Sequence, residues 1–185
     1  MKKCPVCEVK LNRVRLADEQ PAFKCSNCEG TWISYHEYVQ WIGPGQKNSI
    51  DVIDTDYEVP LPVFENRKAL LCPDCERILR RFKIWPNVEF HLDRCGYCNG
   101  IWFDKNEWEV LKLKGLEKYI HIFFTEAWQK KLKSEEMTVH FREMYKEKFG
   151  LVNYKKIKEV KSWLQDEELE SELLAYLTNK NPYRG

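Results

Sequence analysis

The sequence predicts an α+β protein: two small cysteine-stapled antiparallel β-hairpins, each followed by a short helix, and an all-α C-terminal region. Three observations predict it. All eight cysteines fall into Cys-x2-Cys pairs. The pairs recur as two copies of one pattern. No cysteine follows Cys98, and beyond Gly115 an apolar period of 3.6 residues takes over.

Cys4 and Cys7 are followed, after 17 residues, by Cys25 and Cys28; Cys72 and Cys75 are followed, after 19, by Cys95 and Cys98. Four thiolates in two such pairs form a ligand set for tetrahedral zinc. The expectation is therefore two Zn²⁺ per chain, held by Cys4, Cys7, Cys25 and Cys28 and by Cys72, Cys75, Cys95 and Cys98. Catalytic zinc keeps one position open, and four thiolates leave none, so both sites read as structural. Structural zinc contributes roughly 10–16 kcal/mol in small finger peptides, more than a module of about 30 residues gains from its own core.

Each segment between paired cysteines reads as a hairpin. Arg77 to Trp85 alternates apolar and basic residues in its second half, Pro86-Asn87 turns the chain, and Val88 to Asp93 alternates back. Val9–Leu16 and Ala22–Lys24 play these parts in the first copy. A hairpin with a cysteine pair at each end is the zinc-ribbon arrangement. Gly30 and Gly100 each stand two residues after a last cysteine and are expected to make a tight turn at positive φ. Trp32 and Trp102 recur in register and are expected to plug each hairpin against its own helix.

Ser34 with Glu37, and Asp104 with Glu107, read as helix caps. They open helices over about 35–42 and 105–114, the first stopped by Gly43-Pro44-Gly45. Residues 44–68 read as a linker with one short strand. From 115 to 185, Tyr119 to Trp128, Met137 to Tyr145 (closed by Gly150) and Ile157 to Leu164 each present an apolar face. Asp166 caps a last helix carrying Leu169, Leu173, Leu174 and Leu177. The expected domains are 1–43, 69–114 and 115–185.

The run from Cys72-Pro73-Asp74-Cys75 to Cys98-Asn99-Gly100-Ile101-Trp102-Phe103-Asp104-Lys105-Asn106-Glu107 resembles the bacterial zinc-ribbon family named after transcription factor IIB. The mark of that family is a cysteine pair followed by Gly, an aromatic, Asp and Glu. The first copy departs from it, with Ser34 in place of Asp and Glu29 before Gly30, but keeps all four cysteines. The resemblance implies the ribbon fold and zinc; it points to transcription only by analogy.

Composition narrows the function classes. The chain has 185 residues, 43% hydrophobic and 32% charged, which is a globular balance. No run approaches the roughly 18–20 apolar residues of a membrane span. Met1-Lys2-Lys3 runs straight into Cys4 and leaves no room for an apolar signal, so a cytoplasmic location is expected, where paired thiols stay reduced. The formal charge is +1; eight thiolates with two Zn²⁺ would make the holoprotein mildly acidic, which does not draw in nucleic acid by its overall field.

No nucleophilic triad, phosphate loop or carboxylate pair stands out, so no catalysis is expected. The function read from the sequence is a zinc-binding adaptor or assembly factor with a protein partner. An alternative is nucleic-acid binding or a transcription-associated role, with Arg77, Arg80, Arg81 and Lys83 along the backbone and Trp85 stacking on a base. A third class is a thiol or zinc redox sensor.

Overall fold

The computed structural model describes residues 1–44, 61–64, 66, 68–86, 90–165 and 167–183. The expected linker strand, the turn residue Asn87 with Val88 and Glu89, and the cap Asp166 fall outside these residues. The described chain forms two compact units, Met1–Glu136 and Met137–Gly185.

The first unit is built on one antiparallel sheet. Strands β1 (Asn12–Arg15), β2 (Pro21–Lys24) and β3 (Thr31–Ile33) come from the first copy. Strands β4 (Leu79–Lys83), β5 (His91–Cys95) and β6 (Ile101–Phe103) come from the second. The order is β1-β2-β3-β6-β5-β4, so the copies join edge to edge. At the seam Thr31 pairs with Phe103, Trp32 with Trp102 and Ile33 with Ile101. Each ribbon contributes three strands, and at the seam each covers the other's open edge, which removes two unpaired backbone rows at once. The seam strands carry no alternation legible in sequence, because all six of their residues are buried. At the seam both faces of the sheet are therefore covered.

One face carries the cysteines. There Trp32 and Trp102 pack with Cys4, Leu11, Cys25, Leu70, Cys72, Leu79 and Cys95. Side chains alternate along a strand, so Ile33, Ile101 and Phe103 point to the other face. They join the main core with Tyr38 of α1 (Tyr35–Ile42) and Trp108, Val110 and Leu111 of α2 (Glu107–Leu113).

Ile120, Ile122 and Phe123 of the short α3 (Ile120–Phe123) also enter this core, as do Trp128 and Leu132 of α4 (Glu126–Gln165). The apolar run expected around 120–128 is therefore core, and residues 116–132 pack with the ribbons rather than apart from them.

In the second unit the α4 helix is broken at Gly150 (φ 73°, ψ 153°), a left-handed conformation that suits glycine. The arms on either side of that break line one groove of about 650 Å³, from Thr138 to Phe149 and from Tyr154 to Gln165. Helix α5 (Glu170–Thr178) follows. Among the described residues of this unit Leu164 is the one buried large hydrophobic, while Phe141, Tyr145, Ile157, Trp163 and Leu177 stay exposed.

Candidate metal centres

Each centre is made by two turns that bring four sulfurs together. In each turn the residue after the second cysteine adopts positive φ: Glu8 60°, Glu29 61°, Glu76 58° and Asn99 60°. The turn this expresses is the one expected of Gly30 and Gly100, displaced by one residue; neither of those glycines has positive φ. Backbone N–H groups then point at sulfur. Cys7 N–H donates to Cys4 Sγ at 3.3 Å, Asn27 to Cys25 at 3.4 Å, Asp74 to Cys72 at 3.4 Å and Tyr97 to Cys95 at 3.4 Å. Such bonds favour thiolate.

In each group of four, all the sulfurs lie within 4.8 Å of one another. Cys4 and Cys28 are 3.6 Å apart, Cys72 and Cys98 3.5 Å, and Cys75 and Cys95 3.4 Å. A tetrahedron with Zn–S bonds of about 2.3 Å has S···S edges of about 3.8 Å, so the spacing suits zinc. It is far too long for a disulfide, whose S–S bond is about 2.05 Å, and all eight cysteines are free. The two Cys4 groups are each positioned to hold one zinc ion.

Burial pushes Cys4 up to about 11, and it raises Cys28, Cys72 and Cys98 as well. Desolvation also works against ionisation at Cys95, but N–H donors from Cys98 and Tyr97 outweigh it and bring that thiol down to about 7. Cys25 is lowered in the same way, by N–H donors from Cys28 and Asn27 against its desolvation. In each cluster the thiols therefore differ in readiness to ionise. A bound dication makes all four thiolates at once, with release of protons.

Residues 3–43 and 71–114 match the Transcription factor zinc-finger family model. Both segments are zinc ribbons of that family. They cover a little under half the chain. Comparison with curated proteins and with solved structures found no match.

The structure gives the ribbon motif a physical meaning that local reading missed. A Cβ on Gly30 would lie 2.2 Å from Cζ2 of Trp102, and one on Gly100 would lie 2.2 Å from Cζ2 of Trp32. Each glycine makes room for the other ribbon's tryptophan. The tryptophans therefore lie between the two metal centres across the seam, not against their own helices. The signal in the sequence was the recurrence of Gly-x-Trp in both copies; what it lacked was the partner.

The aspartate and glutamate of the motif lie behind the tryptophan. Trp102 Nε1 donates to Asp104 Oδ1 at 2.8 Å, and Asp104 Oδ2 accepts from the Asn66 N–H at 2.7 Å. Glu107 Oε2 accepts the Asp104 N–H at 2.8 Å, as a capping glutamate does. The residue at the N-terminus of α2 is Asn106 in the left-handed region, so Asp104 both anchors the indole and shares the expected cap with Glu107.

Of the basic stripe, Arg81 pairs with Asp93 at 3.5 Å, and Lys83 pairs with Glu136. Arg77 lies 3.9 Å from the Tyr97 ring centroid and Arg80 lies 5.6 Å from that of Phe82. Trp85 is fully buried in the main core and so presents no stacking face. None of the four histidines joins a metal cluster among the described residues. Among them, too, no helix is long and apolar enough to cross a membrane.

Proposed function

We propose that the chain is a cytoplasmic, non-catalytic adaptor or assembly factor. The eight cysteines hold two zinc ions that staple a rigid double ribbon. The unit Met137–Gly185 supplies the surface for a protein partner. The observation that carries this reading is the distribution of apolar side chains. The ribbon unit buries most of its apolar side chains in two clusters, although Phe64, Ile78, Tyr97 and Leu113 stay exposed, whereas among the described residues the second unit buries Leu164 and leaves Phe141 44%, Tyr145 41%, Ile157 49% and Trp163 49% exposed. Three to four turns of helix with an uncovered apolar face are marginal alone in water. Large exposed apolar patches mark interaction sites. Arg142, Lys158 and Lys161 rim the groove, which favours an acidic amphipathic segment in the partner. The ion pairs of Arg81 and Lys83 and the burial of Trp85 favour protein over nucleic acid.

The test uses the full zinc-loaded chain as bait in extract from its native host. Capture of one partner should survive Arg80→Glu with Arg81→Glu and be lost with Phe141→Glu and Tyr145→Glu. Nuclease-sensitive capture that follows the arginines instead would transfer the assignment to nucleic acid.

A further inference from the structure

The duplication makes each surface of one ribbon comparable with its counterpart in the other, 70 residues along from the second cysteine pair onward. Beside the first metal centre, Lys105 Nζ donates to Glu29 Oε1 at 2.5 Å, and Lys24 adds its positive charge to the same carboxylate. A cation of the first copy and a cation of the second thus share one acid. Seventy residues on, Glu29 becomes Asn99 and Lys24 becomes Arg94; Lys105 looks back to Tyr35. The cation persists and its carboxylate is gone.

The space beside the second centre is correspondingly open. A cavity of about 230 Å³ is lined by Tyr35, Tyr38, Arg94, Asn99 and His121, among others. Arg94 is half-buried. Its Nη2 donates to Asn99 Oδ1 at 2.8 Å, and its guanidinium lies 4.9 Å from the Phe124 ring centroid. Among the described residues no carboxylate forms an ion pair with it. One of its five N–H groups is used on Asn99, so the fork keeps donor capacity. Tyr38 Oη lies 3.5 Å from His121 Nδ1, which places a hydroxyl and an imidazole in the same wall. A desolvated cation without a counter-charge is costly, and the inexpensive remedy, an acid at position 99, is the one its own duplicate uses.

We propose that this cavity is a binding site for a small oxyanion, a phosphate or carboxylate group, that supplies the charge Glu29 supplies in the other ribbon. Guanidinium forks bind either group through paired charge-assisted hydrogen bonds. At about 30 Å³ per water, the cavity holds such a group with a small body attached and nothing larger. The reading does not depend on the adaptor assignment. Its rival is that Arg94 merely offsets the negative charge of the adjacent thiolate centre.

The experiment is an NMR titration of the zinc-loaded full chain with inorganic phosphate and, separately, with acetate, each at matched ionic strength against potassium chloride. Saturable shifts at the Asn99, Ile101 and Thr125 amides are expected with phosphate or acetate and not with chloride, and the more effective of the two anions assigns the group. Arg94→Gln should weaken binding by roughly tenfold or more while zinc content stays at two per chain. Asn99→Glu, which copies Glu29 in the same left-handed backbone conformation, should abolish binding with the fold intact. If Arg94→Gln loses zinc, the Asn99→Glu variant decides alone. Shifts that are absent, equal with chloride, or undiminished in Asn99→Glu overturn the proposal.

Discussion

Trp102 gives its indole N–H to Asp104 of its own ribbon, whereas Trp32 gives its own to Asp74, in the other copy, at 3.2 Å. The reason is at one position. Where the second ribbon has Asp104, the first has Ser34, whose hydroxyl donates instead to Glu37 at 2.7 Å. Asp74 stands in the second Cys-Pro-x-Cys turn, where the first has Val6, and Lys2 reaches it across the seam. The second ribbon therefore satisfies its buried tryptophan internally and the first relies on its neighbour. Duplicated modules around identical metal shells have become unequal partners in one fold, through polar groups that surround the metal and do not bind it.

The largest expected effect tests whether the ribbons are one unit. Removing zinc should unfold the whole sheet, because the contribution of structural zinc, roughly 10–16 kcal/mol, exceeds or matches a typical domain's total stability. Cys4→Ser, although confined to the first centre, should also lower the thermal midpoint of the second ribbon, since Trp32 and Trp102 touch both. Near-ultraviolet circular dichroism with zinc analysis reads this. A second ribbon that melts unchanged in Cys4→Ser would show that the copies are independent.

Next come the seam glycines. Gly30→Ala and Gly100→Ala each force a tryptophan from its place, and overpacking of that kind costs about 3 kcal/mol. The two costs should agree within error, because the clashes are equivalent; denaturant titration measures them. A large inequality would mean that one tryptophan can yield and the other cannot.

Smaller still is the difference between the tryptophans. Trp102→Phe takes the indole donor away from buried Asp104, and Trp32→Phe leaves Asp74 still paired with Lys2 near solvent. The first should cost about 1–3 kcal/mol more than the second in equilibrium unfolding. Equal costs would erase the asymmetry.

The smallest effect is a pH dependence on the cavity side. Desolvation lowers the pKa of His121, so below the ordinary value of 6.5 the unfolded chain binds a proton more readily than the folded one. Stability should therefore fall as pH drops below about 6.5, over and above the acid release of zinc. His121→Gln should flatten that extra slope, read as the difference between the two proteins at each pH.

Much of the metal chemistry was legible in the chain. Ligand identity and the pairing of thiols are events within a few residues, and the Cys-x2-Cys spacing encodes them; the positive-φ position falls one residue earlier than the expected Gly30 and Gly100. The hairpins and α1 were equally local. Gly30 and Gly100 were misread because their constraint comes from a ring in the other copy. The strands β3 and β6 were missed because burial on both faces erases the alternation that marks a strand. Trp85 looked available for stacking, as half of an alternating strand does, but it is fully buried in the main core with its ring against Phe90. The cavity at Arg94 exists only where Tyr35 of the first copy, Asn99 of the second and His121 meet.

By itself, the sequence determined that there are two Cys4 zinc ribbons, that one duplicates the other, and that a helical region follows. Those depend on short-range geometry and on thiolate chemistry, which travel with the motif. Only the tertiary structure decided that the ribbons fuse at β3 and β6, exchange their tryptophans, and leave one flank neutralised and the other open. Those outcomes depend on which edges and side chains meet across some seventy residues of chain, and no local pattern encodes a neighbour at that distance.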